Sequence, residues 1–301
     1  MEMDNQPDDL INDYCLAELH LRIVFKHSLI NNASLIKSFE PFREKTANGN
    51  KLFTLTVDDS IKPIRDCKER IGDFDTGNGN TIVDLLSDGG YQYIVKDIYG
   101  RGCCLLQTNN DFSNCRCALK GTAESRCFGL NNALMIVFSF AGCRYRTLLI
   151  HASLVRNNGY GYAFIAKSGT GKSTQVSRWL RHIPGCDLMN DDNPIIRIKD
   201  DGVFVYGSPW SGKTPCYRNV KARLGAVTRI ERAKTNSIEK LSPAQAFASL
   251  LPSCSTMKWS KDIFNSVCNN ISAIIETTGM YTLHCLPDEN SALLCHKTIS
   301  L

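Results

Sequence analysis

The sequence lacks several features that would assign it quickly to a class. Its fourteen cysteines include no Cys-x-x-Cys pair, which disfavours a zinc ribbon or a thioredoxin-like redox centre. The first ten residues carry Glu2, Asp4, Asp8 and Asp9 but no basic residue, the reverse of a signal peptide's start. No apolar run reaches the ~20 residues of a membrane span; the longest is Ala133 to Gly142. Repeats and low-complexity blocks are also lacking. The excess of 35 basic over 30 acidic residues is only +5, too small to require a nucleic-acid partner. These absences lead us to expect a cytoplasmic protein with no membrane or nucleic-acid partner and with its cysteines as thiols. Cys103, Cys104, Cys115, Cys117 and Cys127 are expected to be buried or half-buried, since cysteine packs as a small hydrophobe.

What is present is a 301-residue chain, 43% hydrophobic, enough for one large or two modest domains. The stretch around Leu16 to Ile30 reads as a helix. Leu52 to Val57 reads as a strand, and Gly77-Asn78-Gly79-Asn80 and Asp88-Gly89-Gly90 read as turns. Tyr91–Ile98, Cys103–Gln107 and Cys115–Leu119 read as an antiparallel meander. Residues 1–129 are thus expected to form a β-rich accessory region with an N-terminal helix. The chemistry is expected in residues 130–301, which open with a buried helix over Asn131 to Ala141.

Leu148 to Val155 reads as one strand, and Asn157-Asn158-Gly159 as a hairpin turn. Tyr160 to Ala166 returns as a second strand. Ala166-Lys167-Ser168-Gly169-Thr170-Gly171-Lys172-Ser173 follows and matches the phosphate-loop pattern except that alanine replaces the first glycine. A helix with Val176, Trp179, Leu180 and Ile183 on one face should follow it. Gly169 and Gly171 allow the backbone N–H groups to converge on phosphate oxygens. Lys172 can reach the β- and γ-phosphates, and the Ser173 hydroxyl can ligate Mg²⁺. Ser168, Gly169, Thr170, Gly171, Lys172, Ser173 and Thr174 are therefore candidate ATP-binding positions.

Asp191 and Asp192 sit where the next strand should end, the end at which ligands bind in such sheets. One carboxylate of the pair can hold Mg²⁺ while the other accepts a proton from an attacking hydroxyl. Residues 195–206 read as a hairpin. The loop Gly207-Ser208-Pro209-Trp210-Ser211-Gly212-Lys213-Thr214 leaves it, and Lys213 is a candidate to neutralise charge on a transferred phosphoryl group. Arg218, Lys221 and Arg223 read as solvated charges. Leu224–Ile230 and Tyr281–Leu286 read as strands. Ser242-Pro243-Ala244-Gln245 reads as a helix start, and Trp259, Ile263, Val267, Ile271, Ile274 and Ile275 as a helical core stripe. His284 and His296 read as structural.

Ile150-His151, the hairpin, Ser168 to Ser173 and Asp191-Asp192 occur in an order that resembles the catalytic core of HPr kinase/phosphorylase. They are similar also to the nucleotide-binding part of ATP-dependent phosphoenolpyruvate carboxykinase. The resemblance covers roughly residues 130–301 and is nearest to stand-alone HPr-kinase-related serine kinases. It implies an α/β fold with a mixed-sheet phosphate-loop core, preceded here by the β-rich region. It further implies ATP- and Mg²⁺-dependent transfer of the γ-phosphoryl group to a hydroxyl, often serine, of a protein, peptide or small molecule. By resemblance, Asp191 would be the base, Asp192 the metal-side acid alongside Ser173, and His151 would lie near the transferred phosphate. Ring or dimer assembly would be in keeping with such relatives. The competing class is a non-catalytic ATP-binding sensor.

Overall fold

A computed structural model describes residues 9–26, 28–45, 51–212 and 214–300. The chain is a mixed α/β protein with two large mixed β-sheets, divided into the compact units Met1–Ala141 and Gly142–Leu301.

The first unit holds strands β1 (Leu10–Leu16), β2 (Leu19–Phe25), β3 (Arg43–Glu44), β4 (Phe53–Val57), β5 (Lys68–Asp75), β6 (Asn80–Leu86), β7 (Tyr91–Lys96), β8 (Gly102–Thr108) and β9 (Asn114–Leu119). They form one sheet in the order β3-β1-β2-β4-β9-β8-β7-β6-β5. The β2–β4 and β4–β9 pairs are parallel and the rest antiparallel.

The expected N-terminal helix is not there: residues 10–25 form an antiparallel hairpin. Leu19, Leu21, Ile23 and Phe25 are buried and alternate with half-exposed residues, a period of two that only a strand can serve. Ala17 and Glu18 both have positive φ (49° and 62°), the conformation of a tight two-residue hairpin turn. The meander of β7, β8 and β9 follows the sequence reading.

Helix α1 (Ala123–Gly142) begins well before the expected Asn131. It lies so close to β8 that a Cβ on Gly129 would come within 2.8 Å of the Cys103 carbonyl oxygen. Among the described residues, Ala123–Tyr145 is the one helical stretch long and apolar enough to cross a membrane by length and composition. Core helices pass the same test, and 61% of its apolar window is buried.

A polar ladder crosses four strands of this sheet, buried at Asp84, Gln92 and Gln107 and exposed at Arg116. Asp84, Gln92, Gln107 and Arg116 are successive cross-strand partners. Gln92 Nε2 donates to Asp84 at 3.2 Å, Gln107 Nε2 donates to Gln92 at 3.0 Å, and Arg116 Nε donates to Gln107 at 3.0 Å. The glutamines also bind the backbone of Lys62 and Ile64, fastening that segment to the sheet. Asp84 is fully buried and paired with Lys68 and Arg70. Burial pushes its carboxyl up, but the hydrogen bonds from Lys68, Arg70 and Gln92 outweigh this and hold it below its ordinary value.

Asp84→Asn should therefore destabilise the protein by about 2 kcal/mol, less than a fully buried pair because Arg70 is half exposed. The folded-state pKa is depressed, so this stability is present above the unfolded value of about 3.8 and is lost as pH falls through the lower folded value. Urea midpoints of wild type and variant should converge below pH ~4; a gap that stays constant to pH 3 would contradict this.

The second unit holds β10 (Thr147–Leu149), β11 (Ala152–Asn157), β12 (Tyr160–Ile165), α2 (Lys172–His182), β13 (Asp187–Asp192), β14 (Ile195–Lys199), β15 (Gly202–Tyr206), β16 (Lys221–Arg232), β17 (Ser237–Lys240), α3 (Pro243–Leu250), α4 (Lys261–Thr277), β18 (Gly279–Cys285) and α5 (Glu289–Ile299). The sheet order is β10-β14-β15-β16-β12-β11-β13, with β18 also paired to β16 and β17 to β18. β12–β16 and β16–β18 are parallel, while β11 is antiparallel to both β12 and β13. β12 and β13 therefore run the same way with β11 between them.

The single strand expected over Leu148–Val155 is broken. Ile150 bridges to Cys254, and the His151 N–H donates to the Ser253 carbonyl at 2.7 Å. The break frees the His151 side chain from the sheet. Trp179 of α2 is fully buried among Tyr162, Phe164 and His296, with ring centroids 5.2–5.4 Å away. Val176 and Ile183 share that core, whereas Leu180, expected on the same face, is exposed.

Candidate functional site

The loop between β12 and α2 leaves the sheet at the carboxyl end of β12. Gly169 and Gly171 have φ of +77° and +132°, which residues with a side chain adopt only under strain. A Cβ at either position would meet nothing within 4 Å, so backbone conformation, not crowding, calls for glycine. The Thr170 N–H donates to the Lys167 carbonyl, closing a turn inside the loop. Gly171 caps α2 without a side chain, and the first helical turn has no acidic residue. The helix N-terminus thus carries no acidic side chain of its own against its partial positive charge.

Lys172 reaches back across the loop. Its Nζ donates to the Ala166 carbonyl at 3.2 Å and lies 2.8 Å from His151 Nε2. The same Nε2 lies 3.3 Å from Asp192 Oδ1. One ring nitrogen cannot serve both contacts together: it must be bare to accept from Lys172 and protonated to donate to Asp192. Burial lowers the Lys172 pKa below its ordinary value, and Asp192 and Asp191 pull it partly back. The His151 hydrogen bond holds the Asp192 carboxyl below its ordinary range.

The two carboxylates differ in surroundings. Asp191 is buried; its Oδ1 accepts from Ser153 Oγ at 2.7 Å and lies 3.5 Å from Ser173 Oγ. Asp192 is half exposed and adopts φ +138°, a strained value for a residue with a side chain. Asn193 Nδ2 donates to its Oδ2 at 2.8 Å.

Behind the pair stands Asn190, fully buried. Its Nδ2 donates to the Trp210 carbonyl at 3.0 Å and to Ser208 Oγ at 3.2 Å, and its Oδ1 accepts from Asn193 N at 2.9 Å. The Gly207–Gly212 segment is thereby tied to the end of β13. Ser211 Oγ donates to the Asp191 carbonyl at 3.1 Å, as does the Gly212 N–H. Any larger residue at Gly212 would press on Asp192. Lys213, the expected charge-neutralising residue of this loop, lies outside the described residues.

The structure brings His151, Lys172, Ser173, Asp191 and Asp192 together, with Ser168, Gly169 and Thr170 on the adjoining loop. Thr174 faces the other side of the loop, in a slot of about 400 Å³ with Gln175, Leu286 and Pro287. A larger cleft of about 870 Å³ opens on the His151 side, lined by Lys167, Arg229, Ser249 and Ser253. Two participants are not evident from the sequence. Ser153 is two residues past His151 and could have been found by strand alternation. Arg232 closes the carboxyl end of β16 and donates to the carbonyls of Thr170 and Gly169 at 3.1 and 2.5 Å; only the β12–β16 pairing brings it near.

Of the charges expected to be solvated, Arg218 and Lys221 have partners. Arg218 and Arg156 both pair with Asp187 at 2.8 Å, and Lys221 lies over the Phe204 ring at 4.2 Å. Cys103, Cys104, Cys115 and Cys117 are buried and Cys127 half buried. Burial pushes the Cys115 thiol far above its ordinary range.

Scans of the chain against protein-family models and against curated proteins find no match.

Asn190→Ala should cost about 2–3 kcal/mol, because it strands buried carbonyl and hydroxyl partners. A drop in urea midpoint with the slope unchanged is the expected result. A midpoint equal to wild type would show that Asn190 does not fasten the loop.

Proposed function

We propose that the chain is an ATP- and Mg²⁺-dependent kinase that transfers the γ-phosphoryl group to a hydroxyl of a protein, peptide or small molecule. The observation that carries this reading is the meeting of Lys172 and Ser173, at the Gly171-capped N-terminus of α2, with two carboxylates at the end of β13, the strand beyond β11. The mixed sheet, with its loop strand flanked by antiparallel β11 and parallel β16, supports a core of the HPr kinase and phosphoenolpyruvate carboxykinase type.

The loop N–H groups and the α2 terminus would bind the phosphates. Lys172 would leave His151 and turn to the β- and γ-phosphates. His151 Nε2, once free of Lys172, can carry a proton and donate to Asp192, so nucleotide binding would exchange one partner of that nitrogen for the other. Ser173 and Asp191 offer the hard oxygen donors that Mg²⁺ takes. Bound there, Mg²⁺ would neutralise charge on the β- and γ-phosphate oxygens.

The surroundings of the two acids favour the buried Asp191 on the metal side and the half-exposed Asp192, beside His151, as proton acceptor. That is the reverse of the order the resemblance implies. Its depressed pKa keeps Asp192 ionised and ready at neutral pH. The acceptor oxygen would bond to the γ-phosphorus, the bond to the β–γ bridging oxygen would break, ADP would leave, and the hydroxyl proton would pass to Asp192.

Transfer from γ-labelled ATP to seryl peptides, and to the chain itself, tests this. Asp192→Asn should lower turnover by roughly 10²–10⁴ while leaving ATP affinity largely intact. Ser173→Ala should raise the Mg²⁺ concentration required. Undiminished transfer by Asp192→Asn would overturn the assignment of the base. Tight ATP binding with no transfer to any acceptor would favour the sensor.

A further inference from the structure

Three metal-ligating side chains meet at the edge of the first unit's sheet. Cys15 on β1 stands directly across from His20 on β2, one pair outside the Leu16–Leu19 pair that closes the hairpin. Glu44 on β3 stands opposite Asp13, two residues from Cys15 and so on the same face. One ligand atom from each of Cys15, His20 and Glu44 lies within 4.8 Å of the others, the one such group of three among the described residues. His20 Nδ1 and Glu44 Oε2 are 2.7 Å apart.

The placement of the cysteine is informative. Tyr14, Leu16, Leu19 and Leu21 fill the buried face of this hairpin. Cys15 faces the other way, on the same face as half-exposed Asp13, His20 and Arg22. Asp13 is held by Arg22 at 2.8 Å and approached by Lys51, so it does not compete for the same ligand.

We propose that Cys15, His20 and Glu44 bind one Zn²⁺ ion, with a fourth position left to water. Thiolate, imidazole and carboxylate form the mixed donor set that suits this borderline-soft cation. Metal–ligand bonds of ~2.0–2.3 Å put tetrahedral donors roughly 3.3–3.7 Å apart. The His20–Glu44 contact must open by about 1 Å or less and the wider separations must close, which side-chain rotation can supply. The Cys15 S–H bond gives up its proton to solvent as the sulfur–zinc bond forms. Three adjacent strands are then tied at one point, and binding to the folded state alone adds stability by mass action. The site is independent of phosphoryl transfer.

The test is titration of the metal-stripped full chain with Co²⁺, then Zn²⁺. Wild type should show thiolate-to-cobalt charge-transfer absorption that saturates at one equivalent and is displaced by Zn²⁺. Cys15→Ser should lose that absorption. His20→Gln and Glu44→Gln should each weaken Co²⁺ binding more than ~10-fold, since even outer-shell changes cost about that much. Should Cys15→Ser fail to fold, the two glutamine variants carry the test. A wild type without the absorption, or variants that bind as well as wild type, would overturn the proposal.

Discussion

Strand β11 lies between β12 and β13, antiparallel to both, and its register sets the geometry of the second unit's site. Ser153 is paired with Asp191 and Ala152 with Asp192. Ser153 Oγ therefore meets the buried carboxylate, and His151, one residue earlier, lies beside the exposed one. On its other edge β11 turns through Asn158 and Gly159, both at positive φ, into β12. That turn fixes where β12 ends and the glycine loop begins. A slip of one residue would turn every side chain of β11 to the opposite face and separate serine, histidine and carboxylates together.

Around this frame the charges are balanced so that each group has a partner it can exchange. Lys172 holds the loop through Ala166 and touches His151. His151 faces Asp192 with the same nitrogen. The strain at Asp192 and the close approach of Gly212 to it place the cost of this arrangement at one strand end. Asn190 supports that end from within, and Arg232 braces the loop from β16. The first unit uses a comparable device for a different purpose: its Asp84–Gln92–Gln107–Arg116 ladder fastens an irregular segment across a sheet.

Much of the second unit is legible in the chain because its signals are local. The Asn-Gly turn before β12, the glycine pattern of the loop, the Ser242–Gln245 helix start and the α4 stripe each sit within a few residues. Gln245 Oε1 does accept from Ser242 N at 3.0 Å, and α4 does bury Ile263, Val267, Ile271 and Ile274, whereas Trp259, expected in the same stripe, precedes the helix and Ile275 is only half buried. What the chain conceals depends on distant pairing. The break at His151 arises from contact with Cys254 and Ser253, a hundred residues on. Arg232 joins the loop only through the parallel β12–β16 pair. The N-terminal hairpin reads as a helix because its leucines fit both periods; the two-residue turn, built on alanine and glutamate instead of Asn-Gly, gives no usual signal.

The central claim is that the loop before α2 binds a nucleoside triphosphate through Lys172 at the edge set by β11. Calorimetric titration of Mg·ATP into the wild-type chain and into Lys172→Ala addresses it most directly. The account predicts one binding site in the wild type and a loss of affinity on the order of tenfold or more in the variant, the scale of one charge-assisted contact. Equal affinity in the two proteins, or no binding to the wild type, would contradict it.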